Sequence, residues 1–253
     1  MPYSVMLDAG HGGINPGAVY AGRQEKDDTL TLVLEVGEVL QNNGIDVEYT
    51  RTTDVYQTPF EKAQIANEAG VDYFISLHRN SYPEDNVVSG VESLVYDLSG
   101  VKYEMAENIN EQLETVGFVN LGVRARPNLI VLRKTKMPAI LVEVGFINSD
   151  TDNQLYDDNF EAVVFAIANG IIETLVQNPN MLDVRYAVQV GAFRNQNYAR
   201  ELQEELAEMD FPARIERGEG FYRVRVGTFS DLEEAIRMEQ RLKRAGYQTI
   251  IVT

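Results

Sequence analysis

The side chains best suited to chemistry in this sequence are its two histidines, His11 and His78. Each follows a short apolar run typical of a buried strand, at the point where that strand gives way to a loop. The carboxyl ends of parallel strands meet at one edge of an α/β sheet, which is where ligands bind in such folds. We therefore expect both imidazoles at one edge, as candidate metal ligands, although a lone histidine at a strand end is more often structural.

A third candidate is Glu143, which interrupts the apolar run of residues 139–144. A carboxylate within a buried strand is costly unless it has a partner or a chemical role. Two interpretations follow. Glu143 is either a catalytic acid or base, or it forms an ion pair with Arg51, Arg79 or Arg133.

The elements that must position these residues alternate between strands and helices over the first 180 residues. The pattern predicts an α/β layered domain, with a central mostly parallel sheet flanked by helices. Thr58, Pro59 and Glu61 form an N-terminal capping signature, and that helix should end at Gly70. A longer helix capped by Asp27 or Asp28 should run to about Asn43. Strands are expected at residues 4–9, 46–51, 72–78, 91–96, 129–132 and 139–144, with helices around residues 105–116 and 160–175.

A repeat marks a second domain near the C-terminus. Residues 188–193 recur 36 positions later as residues 224–229, and each copy reads strand, helix, strand. Two such copies predict a small α+β ferredoxin-like sheet with both helices on one face. Because side chains alternate along a strand, Gln189, Phe221, Arg223 and Arg225 should lie on the uncovered face. An aromatic ring with amide and guanidinium groups is able to bind sugars, although such a face is also compatible with plain solvent exposure.

The composition narrows the function classes. The net charge of −17 argues against a nucleic-acid partner, and the absence of cysteine excludes disulfides and thiolate metal sites. No apolar run approaches the roughly 20 residues of a membrane-spanning helix, so we expect no membrane insertion. The N-terminus carries no secretory signal pattern, which predicts release by lysis or non-classical export, or a mature form.

We expect domains at residues 1–176 and 184–253, joined by a linker at 177–183. The sequence does not indicate an oligomeric state.

The C-terminal segment resembles the SPOR domain family. The resemblance is carried by residues 186–193, residues 222–229 and the pair Gly246-Tyr247. Domains of that family bind peptidoglycan glycan strands through the open sheet face. The resemblance implies that Gln189, Phe221 and Arg223 contact glycan.

Residues 3 to about 176 resemble the zinc-dependent N-acetylmuramoyl-L-alanine amidases of the type 3 family. Five motifs occur in order: residues 8–18, 25–27, 50–51, 76–81 and 138–148. The resemblance implies that His11, Glu25 and His78 bind zinc and that Glu143 is catalytic. Glu25 could not be selected from pattern alone. Arg79 stands where the family often has a small residue, and Ser81 stands where alanine is common.

The resemblance therefore implies a peptidoglycan hydrolase that cleaves the amide between N-acetylmuramic acid and L-alanine, with Zn²⁺ as cofactor. Two imidazoles and one carboxylate would leave an open position for water on the metal. Asn80 and the amides near Gly12 and Gly13 are weaker candidates for orienting the substrate. Two alternatives stay open: a zinc peptidase or deacetylase acting on cell wall, and a non-catalytic wall-binding protein. A sporulation enzyme, a phage lysin and a vegetative autolysin are all compatible with the sequence.

Overall fold

A computed structural model describes residues 3–178, 186–218, 220–229 and 232–252. The chain forms two compact units, Met1–Asn178 and Pro179–Thr253. Most of the expected linker, from residue 179 to residue 183, lies outside the described residues. The boundaries expected for the two domains therefore stay predictions, and each unit is described by itself.

The larger unit is built on a six-stranded sheet in the order β4-β1-β5-β8-β6-β7. Strands β4, β1, β5 and β8 are mutually parallel, whereas β6 runs antiparallel to β8 and parallel to β7. A two-stranded ribbon, β2-β3, precedes the first helix. The strands are β1 (Ser4–Ala9), β2 (Val19–Tyr20), β3 (Arg23–Gln24), β4 (Asp46–Tyr49), β5 (Tyr73–Asn80), β6 (Val91–Val95), β7 (Asn120–Ala125) and β8 (Ala139–Phe146).

Helices cover both faces of this sheet. Buried side chains of α1, α3 and α6 form the larger core on one face, and those of α2 and α4 form a smaller core on the other. The helices are α1 (Glu25–Asn42), α2 (Pro59–Ala69), α3 (Val101–Val116), α4 (Ile130–Lys134), α5 (Asp150–Asp158) and α6 (Phe160–Gln177). The expected α/β layered domain with a mostly parallel sheet is confirmed.

Local signals decide where some of these elements begin. The Thr58 side chain accepts the Glu61 N–H while the Glu61 carboxylate accepts the Thr58 N–H, which closes the predicted capping box of α2. Helix α1 begins at Glu25, earlier than expected, so Asp27 and Asp28 lie in its first turn and do not cap it. Gly70 ends α2 in the left-handed conformation, which glycine adopts without steric cost.

The prediction of a strand at residues 129–132 was wrong. This segment leads into helix α4, whose Val131 and Leu132 pack against α2 and β8. A four-residue apolar run fits a buried helical turn as well as a strand, so periodicity alone does not separate them. Strand β7 and helix α5 were not predicted; β7 is only partly buried and lacks a continuous apolar run.

Helix α6 is 18 residues long and, by length and composition alone, apolar enough to cross a membrane. Half of its most apolar window is buried, and it packs against α1 and α3. Val163, Ile167 and Ile171 are fully buried in the larger core. These contacts are those of a core helix.

The smaller unit is a four-stranded antiparallel sheet in the order β10-β11-β9-β12, with two helices. Its elements are β9 (Tyr186–Phe193), α7 (Gln196–Glu208), β10 (Ala213–Gly218), β11 (Phe221–Phe229), α8 (Leu232–Arg244) and β12 (Ile250–Val252). Val188, Val224 and Val226 are fully buried together with Leu206 of α7 and Leu242 of α8, so both helices cover one face. The predicted ferredoxin-like arrangement is confirmed.

Candidate metal centre

Three side chains from separate parts of the larger unit meet at the carboxyl edge of its sheet. The donor atoms of His11, Glu25 and His78 all lie within 4.8 Å of one another. Glu25 lies between the imidazoles: its Oε2 is 3.0 Å from His11 Nε2, and its Oε1 is 2.8 Å from His78 Nδ1. The structure thus brings together the three residues that the family resemblance implied.

The two histidines reach this edge because their strands are parallel neighbours. Strand β1 pairs with β5 up to Ala9 opposite Leu77, and the Gly10 N–H donates to the Leu77 carbonyl. His11 leaves the strand with φ 61°, a left-handed conformation that is uncommon for a residue with a side chain. A Cβ on Gly10 would lie 2.5 Å from the His78 ring, so the absence of a side chain there makes room for the imidazole.

Glu25 is the first residue of α1, and its side chain is only 4% exposed. Its carboxylate also accepts the backbone N–H of Ala18 at 2.9 Å and that of Arg79 at 3.1 Å. Burial opposes ionisation, but hydrogen bonds from His11 and His78 outweigh it and hold the pKa of Glu25 well below its usual range. Burial disfavours the charged form of His78, but the hydrogen bond to Glu25 and the charge of that carboxylate outweigh it and raise the pKa of the His78 imidazole.

Glu143 lies on β8 directly opposite His78 of β5. Its Oε2 is buried and has no hydrogen-bond partner among the described residues. Burial, reinforced by Glu25 and Glu92 against the opposing effect of His78, raises the pKa of Glu143 to about 7. A carboxyl group that titrates near neutral pH is suited to accept and return a proton.

The ion pair considered for Glu143 is not found in the described part of the chain. Arg51 is buried and donates to the backbone carbonyls of Ala9, Gly10 and Lys26. Arg79 donates to Asp28 on α1 and Asn153 on α5. Arg51 therefore links the loop that carries His11 to the first turn of α1 through hydrogen bonds to Gly10 and Lys26. The sequence pattern did not predict this role.

A second missed feature is the buried pair of Asp8 and Lys62 beneath the histidines. Lys62 Nζ lies 2.7 Å from Asp8 Oδ1 and also donates to the Ala9 carbonyl, while Ser76 and Thr50 donate to Asp8. These contacts lower the pKa of Asp8 in spite of its burial. The signal was present in the sequence, since Asp8 interrupts an apolar strand as Glu143 does.

A cavity of about 360 Å³ opens beside the cluster. His11 and His78 form part of its wall, and Lys62 and Gln57 contribute polar groups. The remainder of the wall is largely apolar and includes Pro59, Leu129, Ile130, Val131 and Leu141. A substrate group held there would lie directly beside the imidazoles.

The weaker candidates for substrate orientation already have partners within the protein. Asn80 donates to Glu92 through Nδ2, and its Oδ1 accepts the Ser81 N–H. The Gly12 N–H donates to the Asn15 carbonyl, and the Gly13 N–H donates to Asp54. These groups shape the loops around the cluster.

The three predicted glycan contacts lie in the smaller unit. Tyr222, Val224 and Val226 contribute to its core, which leaves the alternating positions, among them Phe221 and Arg223, on the other face of β11. Gln189 of β9 is paired with Arg225 of β11. The Arg194 guanidinium lies 5.5 Å from the Phe221 ring centroid, and Arg225 pairs with Glu216 at 2.8 Å, so the open face is rich in arginine.

Comparisons with known proteins agree with this geometry. Residues 5–173 match the N-acetylmuramoyl-L-alanine amidase family, and residues 183–253 match the SPOR domain. A sporulation-specific N-acetylmuramoyl-L-alanine amidase of Bacillus subtilis (strain 168) is 33% identical over 196 residues, which are 75% of this chain and 75% of that relative. An endolysin of Bacillus phage SPP1 is 35% identical over 181 residues, covering 68% of this chain and 65% of the relative.

Solved structures show the same fold in the larger unit. The N-acetylmuramoyl-L-alanine amidase of Clostridium difficile 630 superposes with a TM-score of 0.65 at 28% identity, covering 69% of this chain and 97% of that one. An N-acetylmuramoyl-L-alanine amidase of Nostoc punctiforme gives a TM-score of 0.64 at 32% identity, with 69% and 97% coverage. With a donor cluster at the sheet edge and a family match over two thirds of its length, this chain belongs to the N-acetylmuramoyl-L-alanine amidase family and carries a C-terminal SPOR domain.

Proposed function

We propose that this chain is a zinc-dependent peptidoglycan hydrolase that cleaves the amide between N-acetylmuramic acid and the L-alanine of the stem peptide. The observation that carries the proposal is the convergence of His11, Glu25 and His78 within 4.8 Å, with Glu143 opposite His78 on the next strand. Membership in the N-acetylmuramoyl-L-alanine amidase family supports the choice of this amide bond and of peptidoglycan as the substrate. The SPOR match supports retention on the wall through the smaller unit.

The donor set fits zinc. Two imidazole nitrogens and one carboxylate oxygen are a usual ligand set for catalytic zinc, and tetrahedral bonds of about 2.0–2.1 Å separate ligand atoms by about 3.3 Å. Glu25 Oε2 lies 3.0 Å from His11 Nε2 and Glu25 Oε1 lies 2.8 Å from His78 Nδ1. One donor atom of each residue lies within 4.8 Å of the other two, so small side-chain movements would bring all three onto one ion. His11, Glu25 and His78 would hold the ion, and Zn²⁺ would supply a Lewis acid that polarises the scissile carbonyl and acidifies the attacking water.

The residues of the chain itself then handle binding and proton transfer. Glu143 accepts the proton of the attacking water and delivers it to the departing L-alanine nitrogen, because its pKa of about 7 allows both exchanges near neutral pH. The cavity beside His11 and His78 holds the substrate next to the ligands. In the smaller unit, Gln189, Phe221 and Arg223 contact the glycan strand.

The test is a digest of purified peptidoglycan with the full chain, with and without a chelator, followed by mass analysis. The proposal predicts free stem peptides with new L-alanine amino termini and glycan strands that retain their lactyl groups. The chelator should abolish both products and added zinc should restore them.

Other products would support the alternatives. Cuts within the stem peptide would indicate a peptidase, and released acetate would indicate a deacetylase. Binding to the wall without any product would indicate a non-catalytic wall-binding protein. The sequence is compatible with a role in sporulation or in phage lysis, and one relative is named for each role: a sporulation-specific amidase and a phage endolysin.

A further inference from the structure

Arg79 is the largest fully buried side chain of the larger unit, and the mechanism above does not use it. It follows His78 on β5, and its side chain is 0% exposed. Placing a guanidinium in the protein interior is costly unless its donors are satisfied. Its partners therefore indicate what it does.

The Arg79 guanidinium joins two helices to strand β5. Nη1 lies 2.7 Å from Asp28 Oδ2 on α1, and Nη2 donates to Asn153 Oδ1 on α5 at 2.8 Å. Its Cζ lies 4.2 Å from the centroid of the Tyr156 ring, also on α5. Its Nε has no acceptor among the described residues, so hydrogen bonding does not fully offset the burial.

A second arginine, Arg23, shares two of these partners, Asp28 and Tyr156. Arg23 Nε lies 2.7 Å from the same Asp28 oxygen, and its two terminal nitrogens contact Asp157 of α5 at 2.8 and 2.7 Å. Arg23 also lies over the Tyr156 ring, at 5.2 Å. Asp28 is thus a shared acceptor for two guanidinium groups, and it lies one helical turn after Glu25.

Residue 79 is therefore attached to the first turn of α1 at two points. Its backbone N–H donates to Glu25 Oε1, and its side chain pairs with Asp28. A single attachment would leave the helix free to rotate about the contact, whereas two attachments one turn apart fix both its rotation and its height against β5. Glu25 itself also receives the two imidazoles.

Resting on the proposed function, we propose that Arg79 is a positioning residue that preorganises the metal ligands. Its pairing with Asp28 holds the first turn of α1 against β5, so that Glu25 remains aligned with His11 and His78 before a metal ion arrives. Outer-shell groups that orient ligands typically change metal affinity by 10- to 100-fold when they are removed.

The test measures zinc affinity of the full chain by competition with a chromophoric chelator. Arg79→Met keeps the volume and removes the pairing, and it should weaken zinc binding about 10-fold. Arg79→Lys retains a charge that reaches Asp28 and should restore part of the loss. Asp28→Asn should weaken zinc binding, and the double variant D28N/R79M should lose less affinity than the sum of the two single losses, because both changes break the same Arg79–Asp28 contact.

The matched control is Asn110→Ala. Asn110 is 1% exposed and bonded to Ser93 and to the Gly122 carbonyl, so its loss destabilises the same unit without touching the ligands. It should lower the unfolding temperature of the metal-free protein at least as much as Arg79→Met while leaving zinc affinity unchanged.

The proposal is overturned if Arg79→Met binds zinc as tightly as the unmodified chain, or if Asn110→Ala weakens binding equally. Should Arg79→Met not fold, Asp28→Asn decides by the same criterion, since zinc binding as tight as that of the unmodified chain would overturn the proposal. Failure of the proposed function would look different, because the unmodified chain would then neither bind zinc nor release stem peptides.

Discussion

At the scale of single residues, the candidate site depends on carboxylates placed where burial changes their chemistry. Glu25 and Glu143 differ because of their neighbours: two imidazoles hold Glu25 ionised, whereas Glu143 Oε2 has no hydrogen-bond donor among the described residues. The pKa of Glu25 is lowered and that of Glu143 is raised to about 7. When the pKa values of two neighbouring carboxyl groups shift in opposite directions, one group stays ionised and the other can exchange protons, which suits a metal ligand and a general base respectively.

Glu143→Gln should therefore keep its zinc and lose its turnover. The amide fills the same space but accepts no proton, so hydrolysis should fall by about 10²–10⁴-fold. Metal content by atomic absorption and release of L-alanine amino termini are measured on the same preparation.

His78→Ala provides the contrast to Glu143→Gln, because it should lose the zinc itself. A Glu143→Gln variant with full activity would remove Glu143 from the mechanism, and a His78→Ala variant with unchanged zinc content would remove His78 from the ligand set.

Gly10→Ala tests the packing of the ligands. The added Cβ would lie 2.5 Å from the His78 ring, closer than real contacts allow, so the imidazole must leave the position in which it contacts Glu25. We expect weaker zinc binding with the fold retained, measured by chelator competition and circular dichroism. Unchanged affinity would show that the His78 ring has room to move without losing its ligand position.

At the scale of elements, strands β1, β5 and β8 place their ends at one edge and helix α1 adds Glu25. The buried Asp8–Lys62 ion pair links β1 to α2 directly beneath this edge. Asp8 also accepts a hydrogen bond from Ser76, which links β1 to β5 at the same place. Pairs of this kind are costly to break, because a lone partner stays buried with its charge uncompensated.

Asp8→Asn should destabilise the protein by about 3–5 kcal/mol at pH 7, because Lys62 loses its counter-charge. The pKa of Asp8 is lowered in the folded state, so its contribution is complete above its ordinary pKa near 4 and is lost as the pH falls through the lowered value. The difference in urea midpoint between the two proteins should therefore shrink below about pH 4. A difference that is constant from pH 7 to pH 3 would contradict this assignment.

At the scale of the whole molecule, the candidate metal centre and the candidate glycan-binding face lie in two units with separate cores. The donor cluster and the cavity belong to the larger unit, and the arginine-rich sheet face belongs to the smaller one. Hydrolysis of a soluble substrate and retention on the wall should thus be separable by substitutions within the full chain.

Phe221→Ala should weaken binding to insoluble peptidoglycan about 3- to 10-fold, the value of one aromatic contact, and leave hydrolysis of a soluble muropeptide unchanged. Tyr198→Ala is the control, since Tyr198 is an exposed aromatic residue on helix α7 of the same unit. Pull-down with purified sacculi measures binding. Equal effects of the two substitutions would argue against the sheet face as the binding surface.

Much of this protein follows from its sequence, because the deciding signals are local. The capping box at Thr58, the repeat of residues 188–193 and the strand ends at His11 and His78 depend on neighbouring residues alone. The five motifs that occur in order along the sequence predicted the family, and the family resemblance in turn implied zinc as the cofactor and Glu25 as one of its ligands.

Tertiary structure decided what depends on distant partners. Glu25 is one of 39 acidic residues, and only the packing of α1 against β5 brings it between two imidazoles. Residues 130–132 are helical, with Val131 and Leu132 buried against α2, a contact that a short apolar run does not encode. The partners of Arg79 and the raised pKa of Glu143 arise in the same way, since burial and charge proximity exist only once the strands and helices have assembled.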